Sequence, residues 1–421
     1  LAAGQTLTLT YPVTITDEAL ATSTANLVIT LTGSNDAPVI TVGASDSAAA
    51  SLTEVNAGLT TSGTLSVTDL DYSNTVSAQV LSVAKSATTT GITPSDATLK
   101  GYLSLVSSAI IDATHTTGTI NWAFNSAGEA FNYLAAGESL TLDYVIRVTD
   151  SSGATADRTV TITINGSNDL PVITNGPDTL ALTETNAALT GSGTLTVGDL
   201  DYSNTVTASV DALSVSGSSN RSDAAAPSDA SLKAMLSVSP SAILSATQTS
   251  NTLSWTFNSA AEVFNYLAAG ETLVLTYTVK ALDSSNAAAS ETVTVTITGS
   301  NDAPLISVVG SDSTSATLAE TSAALNTSGT LTVTDVDTSN TVAASVVSVV
   351  ASGTTATLGS NNAALKAMLG VDLGNVVSAS ANTGTLHWNF ASSAEHFDYL
   401  AAGESLTLSY TVRVTDSSGA V

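Results

Sequence analysis

The sequence has no cysteine and little positive charge. Its 421 residues include 9 Lys and Arg against 36 Asp and Glu, which gives a formal net charge of −27 at pH 7. Without cysteine, disulfides cannot stabilise a secreted chain, so another cross-link is expected. Without a basic stripe, no nucleic-acid partner is predicted, because phosphates would be repelled. The acidic excess instead favours a divalent cation.

Long apolar runs and catalytic motifs are also missing. No apolar run reaches the length of a transmembrane helix, so no membrane insertion is predicted. His115, His387 and His396 share no position in the repeats described below, and no nucleophile elbow, zinc-protease motif or phosphate loop is present. We therefore predict that the chain is not an enzyme. Leu1 lies inside a repeat with no visible signal peptide, so we expect a segment of a longer protein or a processed product.

What the sequence does contain is a strict repeat. The block Leu-Ala-Ala-Gly begins at residues 1, 134, 267 and 400, a spacing of 133 each time. A period of this length indicates tandem copies of a whole domain. Cutting at the block Asn-Asp-x-Pro predicts C-terminal strands of a preceding repeat at 1–34, full β-sandwich repeats at 35–167 and 168–300, and a repeat that lacks its last strand at 301–421.

Each period has the pattern of β-strands. Apolar residues alternate with polar ones in 138–148, 159–164 and 292–298, which predicts strands with one buried face. Turn residues such as Asp-Ser-Ser-Gly at 150–153 separate these runs. Roughly seven to nine strands per period predict a sandwich of two antiparallel sheets.

Helix signals interrupt the β pattern once in each period. The segments 94–100, 227–233 and 361–369 combine a Ser or Asn cap with apolar residues and predict a short helical insert. The stretches just before them, 81–93, 211–226 and 347–361, differ in length and sequence, so we predict surface loops there.

Aromatic residues are few, and every Trp and Phe lies in a repeated block. The blocks are Trp122-x-Phe124 with Phe131-x-Tyr133, Trp255-x-Phe257 with Phe264-x-Tyr266, and Trp388-x-Phe390 with Phe397-x-Tyr399. The spacing of two places both rings of a pair on one strand face. Because Trp and Phe bury the largest apolar areas, we predict core anchors. A platform for stacking sugars is the alternative interpretation.

Acidic residues recur in register and are the candidate functional residues. Each repeat begins with Asn-Asp, has an early Glu, places Asp-x-Asp after a strand, and ends its penultimate strand with Asp. The predicted metal ligands are Asp17, Asn35, Asp36, Glu54, Asp69, Asp71, Asp150, Asn168, Asp169, Glu184, Asp199, Asp201, Asp283, Asn301, Asp302, Glu320, Asp335 and Asp337. Ca²⁺ takes about six to eight oxygens from carboxylates, Asn side chains and backbone carbonyls. Two neighbouring repeats and their linker could supply them, so Ca²⁺ is the predicted cofactor, although Asp and Asn also cap turns without a metal.

The sequence resembles the VCBS repeat of giant bacterial surface proteins, which is grouped with the cadherin-like repeats of RTX-type adhesins. The matching stretches are Phe-Asn-Tyr-Leu-Ala-Ala-Gly-Glu-Ser-Leu-Thr-Leu-Asp-Tyr at 131–144, Val-Thr-Asp-Ser-Ser-Gly at 148–153, Val-Thr-Ile-Thr-Ile-Asn-Gly-Ser-Asn-Asp at 160–169, Leu-Thr-Glu at 52–54 and Gly-Thr-Leu-Ser-Val-Thr-Asp-Leu-Asp at 63–71. The resemblance implies tandem Ig/cadherin-like β-sandwich domains on an extracellular bacterial surface, with Ca²⁺ at their junctions. By the same analogy, Asn168, Asp169 and Pro171 would lie at an interdomain cation. The period of 133 residues is longer than the usual VCBS unit, and the glycine-rich RTX nonapeptides are absent.

Three functions follow as hypotheses. The first is a structural extender, in which neighbouring repeats stiffened by Ca²⁺ project a binding module for adhesion and biofilm formation. The second is a self-assembling extracellular filament or surface layer, in which copies join end to end by strand complementation. The third is a carbohydrate-binding module for surface glycans.

Overall fold

Nearly all of the regular secondary structure is β-strand, which confirms the predicted all-β class of tandem β-sandwich domains. The computed structural model describes residues 1–219, 221 and 225–421. The chain begins with an antiparallel hairpin of β1 (Thr6–Thr16) and β2 (Thr22–Thr32), which pair along their whole length. Three repeats of similar topology follow this hairpin.

The first repeat folds as one sheet packed on another. Its elements are β3 (Val39–Thr41), β4 (Ala49–Thr53), β5 (Thr60–Thr68), β6 (Val76–Ala87), α1 (Asp96–Gly101), β7 (Leu103–Leu105), β8 (Ala109–Ile111), β9 (Thr117–Asn125), β10 (Ser139–Asp150) and β11 (Thr155–Asn165). One sheet has the order β4-β11-β10-β6-β8, and the facing sheet has the order β3-β5-β9-β7.

The second repeat has the same topology. Its elements are β12 (Val172–Thr174), β13 (Asp178–Thr183), β14 (Thr190–Gly198), β15 (Val206–Gly217), α2 (Asp229–Ala234), β16 (Leu236–Ser239), β17 (Ala242–Leu244), β18 (Ser250–Asn258), β19 (Thr272–Asp283) and β20 (Ala288–Thr298). The sheet orders are β13-β20-β19-β15-β17 and β12-β14-β18-β16.

The third repeat has one smaller sheet. Its elements are β21 (Leu305–Ser307), β22 (Asn326–Thr334), β23 (Val342–Gly353), α3 (Asn362–Ala367), β24 (Leu369–Val371), β25 (Asn375–Val377), β26 (Thr383–Ala391) and β27 (Leu406–Asp416). The sheet orders are β25-β23-β27 and β21-β22-β26-β24. Its buried residues divide into two separate clusters, one around Val333 and one around Leu365.

Alternation along the strands builds the core. In β10, Leu140, Leu142, Tyr144, Ile146 and Val148 are completely buried, and the residues between them lie on the solvent side. The predicted period of two in this segment is therefore confirmed. Such a strand can be buried on only one face, and the facing sheet covers that face.

A parallel strand pair closes the larger sheet in the first two repeats. β4 lies parallel to β11, and β13 lies parallel to β20. Both β4 and β13 form the edge of their sheet. The other strand pairs of these sheets are antiparallel.

The predicted helical inserts are confirmed as α1, α2 and α3. Ser95, Ser228 and Asn361 cap them, each accepting a hydrogen bond from the backbone N–H three residues later. A tyrosine hydroxyl from the sheet anchors each helix: in the second repeat Tyr277 donates to the carbonyl of Leu232 across 2.8 Å. The buried Leu232 then packs into the core.

The Trp blocks lie in the core, as predicted. Trp122 and Trp255 are each 1% exposed, and Trp388 is half-buried between the two clusters of the third repeat. The predicted strand geometry of the second aromatic pair is wrong. Phe131 is completely buried but lies in a turn with φ of 62°, outside any strand.

The variable stretches are only partly loops. β6 extends to Ala87, so the stretch 81–93 begins within a strand, and β15 and β23 extend likewise into the other two stretches. The prediction of loops was wrong there because outward positions of a strand tolerate sequence change as loops do. Residues 220 and 222–224 of the second stretch lie outside the described residues.

Candidate functional site

The predicted metal ligands gather at the repeat boundaries in three groups, which we call seams. The first seam contains Asn35, Asp36, Asp69, Asp71 and Asp150. The second contains Glu54, Asn168, Asp169, Asp199, Asp201 and Asp283. The third contains Glu184, Asn301, Asp302, Asp335, Asp337 and Asp416, the last of which completes the pattern of Asp residues that end a penultimate strand.

Backbone geometry places the Asp-x-Asp carboxylates. In the second seam Asp199 follows β14, and its Oδ1 accepts the N–H of Asp201 across 3.0 Å. Oδ2 of Asp201 then accepts the N–H of Asp169 from the linker across 2.9 Å. The third seam repeats this arrangement, with Asp302 donating to Asp337 across 2.9 Å and Asp337 donating to Asp335 across 3.0 Å.

The Asn of the linker joins two further elements of the following repeat. Asn168 Nδ2 donates to Oδ2 of Asp283 across 2.9 Å, and Asn204 Nδ2 donates to Oδ1 of Asn168 across 3.0 Å. Oδ1 of Asp283 accepts the N–H groups of Ser285 and Ala287 and so caps its own turn. Each of the two oxygens of Asp283 therefore has a separate structural role.

The preceding repeat contributes a glutamate. Glu54 comes directly after β4, and its Oε1 accepts the N–H of Ser167 across 3.1 Å and also the hydroxyl of Ser167. Glu184 follows β13 and contacts Ser300 in the same way, with an N–H distance of 3.0 Å. The second and third seams are thus built from two repeats and the linker between them.

Several carboxylate oxygens in the seams are buried without a hydrogen-bond partner. They are Oε2 of Glu54 and Glu184, Oδ1 of Asp71, Asp201 and Asp337, and Oδ2 of Asp69, Asp169, Asp199, Asp302 and Asp335. Asp201 and Asp337 are 0% exposed and Glu184 is 2% exposed. Burying an ionised oxygen without a partner is costly, and native proteins leave few such groups unexplained.

Burial and mutual repulsion raise the pKa values of several seam carboxylates. Burial, together with the charges of Asp199, Asp169 and Glu54, raises the pKa of Asp201 to about 7. Burial likewise raises the pKa of Asp337 to about 7 and that of Asp199 to about 6. The ion pairs formed by the described residues lie elsewhere, as in Lys85–Asp96 and Arg147–Asp157. The seam carboxylates therefore have no basic side chain to neutralise them in the described part of the chain.

The donor atoms fit a hard cation but are not yet gathered around one point. In the described ranges, no group of three or more His, Asp or Glu side chains is close enough to hold a metal ion. The unpartnered oxygens and the absence of nitrogen or sulfur ligands nevertheless match the chemistry that Ca²⁺ prefers. Binding would require these mutually repelling side chains to move inward.

Two of the predicted ligands lie outside the seams. Asp17 is exposed, and its Oδ1 caps a turn by accepting the N–H groups of Ala19 and Ala21. Glu320 is also exposed. Sequence reasoning missed Asn74, Asn204 and Asn340, which are buried in the three seams and donate to both the linker Asn and the Asp-x-Asp carboxylate. Their constant position three residues after the second Asp was the available signal.

The burial of the Trp residues bears on the sugar-stacking interpretation. Trp122 Nε1 donates to the carbonyl of Ser47 across 2.9 Å, and Trp255 Nε1 donates to Oδ2 of Asp178 across 2.9 Å. With both indoles almost fully buried, neither presents a ring face to a glycan.

Comparison with known proteins finds likeness only in three-dimensional structure. No family model and no curated protein matches the sequence. A protocadherin gammaB7 EC3-6 cis-dimer structure has 12% identity and a TM-score of 0.34, covering 97% of this chain and 84% of that one. Mouse protocadherin-24 EC1-3 has 15% identity and a TM-score of 0.28, covering 70% and 79%. The sialic acid binding region of a Streptococcus sanguinis SK1 adhesin has 10% identity and a TM-score of 0.20, covering 72% and 93%. At these scores the likeness carries no argument about function.

No helix among the described residues is both long enough and apolar enough to cross a membrane.

Proposed function

We propose that the chain is a structural extender of a large extracellular bacterial adhesin of the VCBS or cadherin-like type, in which Ca²⁺ at the seams stiffens tandem β-sandwiches. The role is mechanical and not enzymatic. The observation that carries this proposal is the set of buried, unpartnered carboxylate oxygens that two repeats and their linker contribute to each of the second and third seams.

A cation would resolve the electrostatic problem of the seams. In the third seam, Glu184 belongs to one repeat and Asp337 to the next, and both have a buried oxygen without a partner. A divalent ion bound by both would neutralise their charges and also connect the two repeats. Asn side chains and linker carbonyls would complete the roughly six to eight oxygens that Ca²⁺ takes.

The mechanical consequence follows from the shortness of the linker. Thr298 ends β20 and β21 begins at Leu305, so few residues separate the two sandwiches. A cation held from both sides would remove the swivelling freedom of this segment. With strands of about 11 residues along the axis, each repeat would add roughly 40 Å to a stiff rod that holds a distal binding module away from the surface.

Calcium titration and small-angle scattering test the proposal. Calorimetric titration of the chelator-treated chain should show Ca²⁺ binding, and scattering should show a longer, narrower particle in Ca²⁺ than in chelator. The double variant Asp199→Asn with Asp201→Asn should lose ions at the second seam while the sandwiches stay folded. The exposed Glu320→Gln is the control. Absence of any calcium binding would disprove the proposed function.

A further inference from the structure

The repeated block Leu-Ala-Ala-Gly has no part in the seams described above. In the second repeat it lies in residues 264–271, between β18 and β19, which we call the junction loop. Glu271 is the only acidic residue of this loop, and its Oε2 accepts the N–H of Ala268 across 3.1 Å. Since Glu271 closes the loop on itself, the strict repetition of this block calls for a role other than cation binding.

Two buried side chains anchor the junction loop. Phe264 and Leu267 are both completely buried, and the N–H of Leu267 donates to the carbonyl of Phe264 across 3.0 Å. Phe264 has a φ of 63°, so the chain turns sharply at this point. A loop that is anchored in this way holds its backbone carbonyl groups in fixed positions.

The linker to the next repeat leaves directly against the junction loop. The N–H of Gly299 donates to the carbonyl of Glu271 across 2.9 Å. A Cβ added to Gly299 would stand 2.2 Å from the carbonyl oxygen of Leu267 and 2.3 Å from that of Ala268. Only glycine allows the backbone to approach so closely. Gly166 meets the equivalent loop of the first repeat in the same way, so each linker starts from a fixed position.

The same loop also contacts the next repeat. Thr338, one residue after the Asp-x-Asp block of the third repeat, donates its hydroxyl to the carbonyl of Tyr266 across 3.3 Å and is 2% exposed. At the preceding boundary, the N–H of Tyr202 donates to the carbonyl of Tyr133 across 3.2 Å. Tyr202 and Thr338 both come directly after an Asp-x-Asp block. Both boundaries therefore have a direct hydrogen bond between equivalent positions of neighbouring repeats.

A second contact holds the linker of the third seam from the side of the second repeat. Asn265 of the junction loop donates to the side chain of Asn186, and Asn186 Nδ2 donates to Oδ1 of Asp302 across 3.4 Å. Asp302 lies in the linker, whereas Thr338 lies beyond β22. Attachment at two separate places restricts rotation of the third repeat, which a single attachment would leave free. Neither contact involves a cation.

We propose that the junction loop is a docking surface for the repeat that follows it, and that it narrows the range of angles between neighbouring sandwiches before any cation binds. Its partner is the Asp-x-Asp loop of the next repeat. Because the acceptor is a backbone carbonyl, the donor can be a hydroxyl or an amide, which fits Thr338 and Tyr202 alike. Domains joined by a small interface otherwise move relative to one another.

Docking has a consequence for the seams, and this part rests on the proposed function. The contact between Tyr266 and Thr338 keeps Glu184 of one repeat close to Asp337 of the next while no ion neutralises them. Arranging a site in advance reduces the ordering that binding must otherwise bring about. The docked repeats would therefore present both halves of a seam together to an incoming cation.

Distance measurements between spin labels in chelator test docking without any ion. The chain has no cysteine, so Thr252→Cys with Thr385→Cys places labels at equivalent exposed positions on β18 and β26. Double electron–electron resonance then measures the distribution of distances between the second and third repeats. Thr338→Val removes the hydroxyl donor and should broaden this distribution. Thr338→Ser keeps a hydroxyl and should retain the wild-type width.

The exposed Thr357→Val is the matched control and should leave the width unchanged. Docking is wrong if Thr338→Val is as narrow as wild type, if Thr338→Ser is as broad as Thr338→Val, or if Thr357→Val broadens the distribution equally. Circular dichroism reports whether each variant folds. If Thr338→Val does not fold, the exposed Asn186→Ala decides in its place: a broader distribution supports docking, and an unchanged one overturns it.

The same labels in Ca²⁺ separate docking from the proposed function. The distributions of wild type and of Thr338→Val should both narrow, because the ion would connect the same two repeats. If Thr338→Val is broader in chelator but no Ca²⁺ binds, docking stands and the proposed function fails. If Thr338→Val matches wild type in chelator and Ca²⁺ narrows both distributions, docking fails and the proposed function stands.

Discussion

Gly63 lies directly against the indole of Trp122. The two residues are register partners on β5 and β9, and a Cβ added to Gly63 would stand 2.4 Å from Cζ2 of Trp122. Gly193 and Gly329 face Trp255 and Trp388 in the same way. Each Trp therefore depends on the absence of a side chain across the strand, and the glycine is as much a part of the core as the ring.

Gly63→Ala should consequently destabilise the first repeat. Neither the indole, which is 1% exposed, nor the backbone can move away freely. Overpacking of this kind costs about 1–3 kcal/mol. Chemical denaturation followed by circular dichroism should show an earlier transition. Gly101→Ala is the matched control, since nothing lies within 4 Å of a Cβ at that helical position. Equal stability of both variants would contradict the packing argument.

Neutralising the second seam should have opposite effects in chelator and in Ca²⁺. Asp199→Asn with Asp201→Asn removes buried carboxylates that have raised pKa values, so in chelator the variant should melt at a higher temperature than wild type. In Ca²⁺ the order should reverse, because only wild type gains binding energy at that seam. Differential scanning calorimetry in both buffers measures this. A variant that melts below wild type in both conditions would show that the carboxylates stabilise the fold by themselves.

The chelated protein should become more stable on mild acidification. Burial raises the pKa of Asp201 and Asp337 to about 7 in the folded state, from a reference value of 3.8. Because the folded state binds protons more tightly than the unfolded state, lowering the pH from about 7 to about 4 should raise the melting temperature. Asp201→Asn with Asp337→Asn should flatten this dependence. A melting temperature that falls steadily over the same range in wild type would refute the prediction.

The contribution of Asp46 to stability should depend on pH in the opposite direction. Hydrogen bonds from Thr64, Gly43 and Ser66 lower the pKa of Asp46 to about 2. The stabilisation they provide is present above the unfolded pKa near 3.8 and is lost as the pH falls toward 2. Asp46→Asn should therefore be less stable than wild type at pH 7, and the difference should shrink in strong acid. Urea unfolding across this pH range measures it, and a constant difference would argue against the charge as its cause.

Much of the fold could be predicted because its signals are local. The alternation in β10 depends only on side chains two residues apart, and the caps Ser95 and Ser228 lie next to the helices they begin. The turn that holds Phe131 could not be predicted, because its positive φ is imposed by the surrounding structure. Trp122 and Phe124 in a strand have the same i, i+2 spacing as Phe131 and Tyr133 in this turn, so the spacing could not distinguish the two conformations.

The candidate site was harder because its contacts join distant parts of the chain. Composition and register identified both Glu54 and Asp201 as candidate ligands. They did not show that Glu54 lies near Asp201 of the next repeat and not near Asp71 of its own repeat. Asn204 was missed although its constant position, three residues after the second Asp of the Asp-x-Asp block, marks it in every repeat. Asp17 and Glu320 matched the pattern, yet both are exposed and lie outside the three seams.

The division of the second and third seams between two copies has an evolutionary consequence. Each of the first two repeats contributes an equivalent glutamate, Glu54 or Glu184, to the seam that follows it. The other residues of that seam, which begin with Asn168 or Asn301, are also equivalent. Any copy can therefore follow any other. Unequal recombination that deletes or duplicates exactly one period would leave every boundary chemically complete, so the gene could lengthen or shorten its product without any compensating mutation.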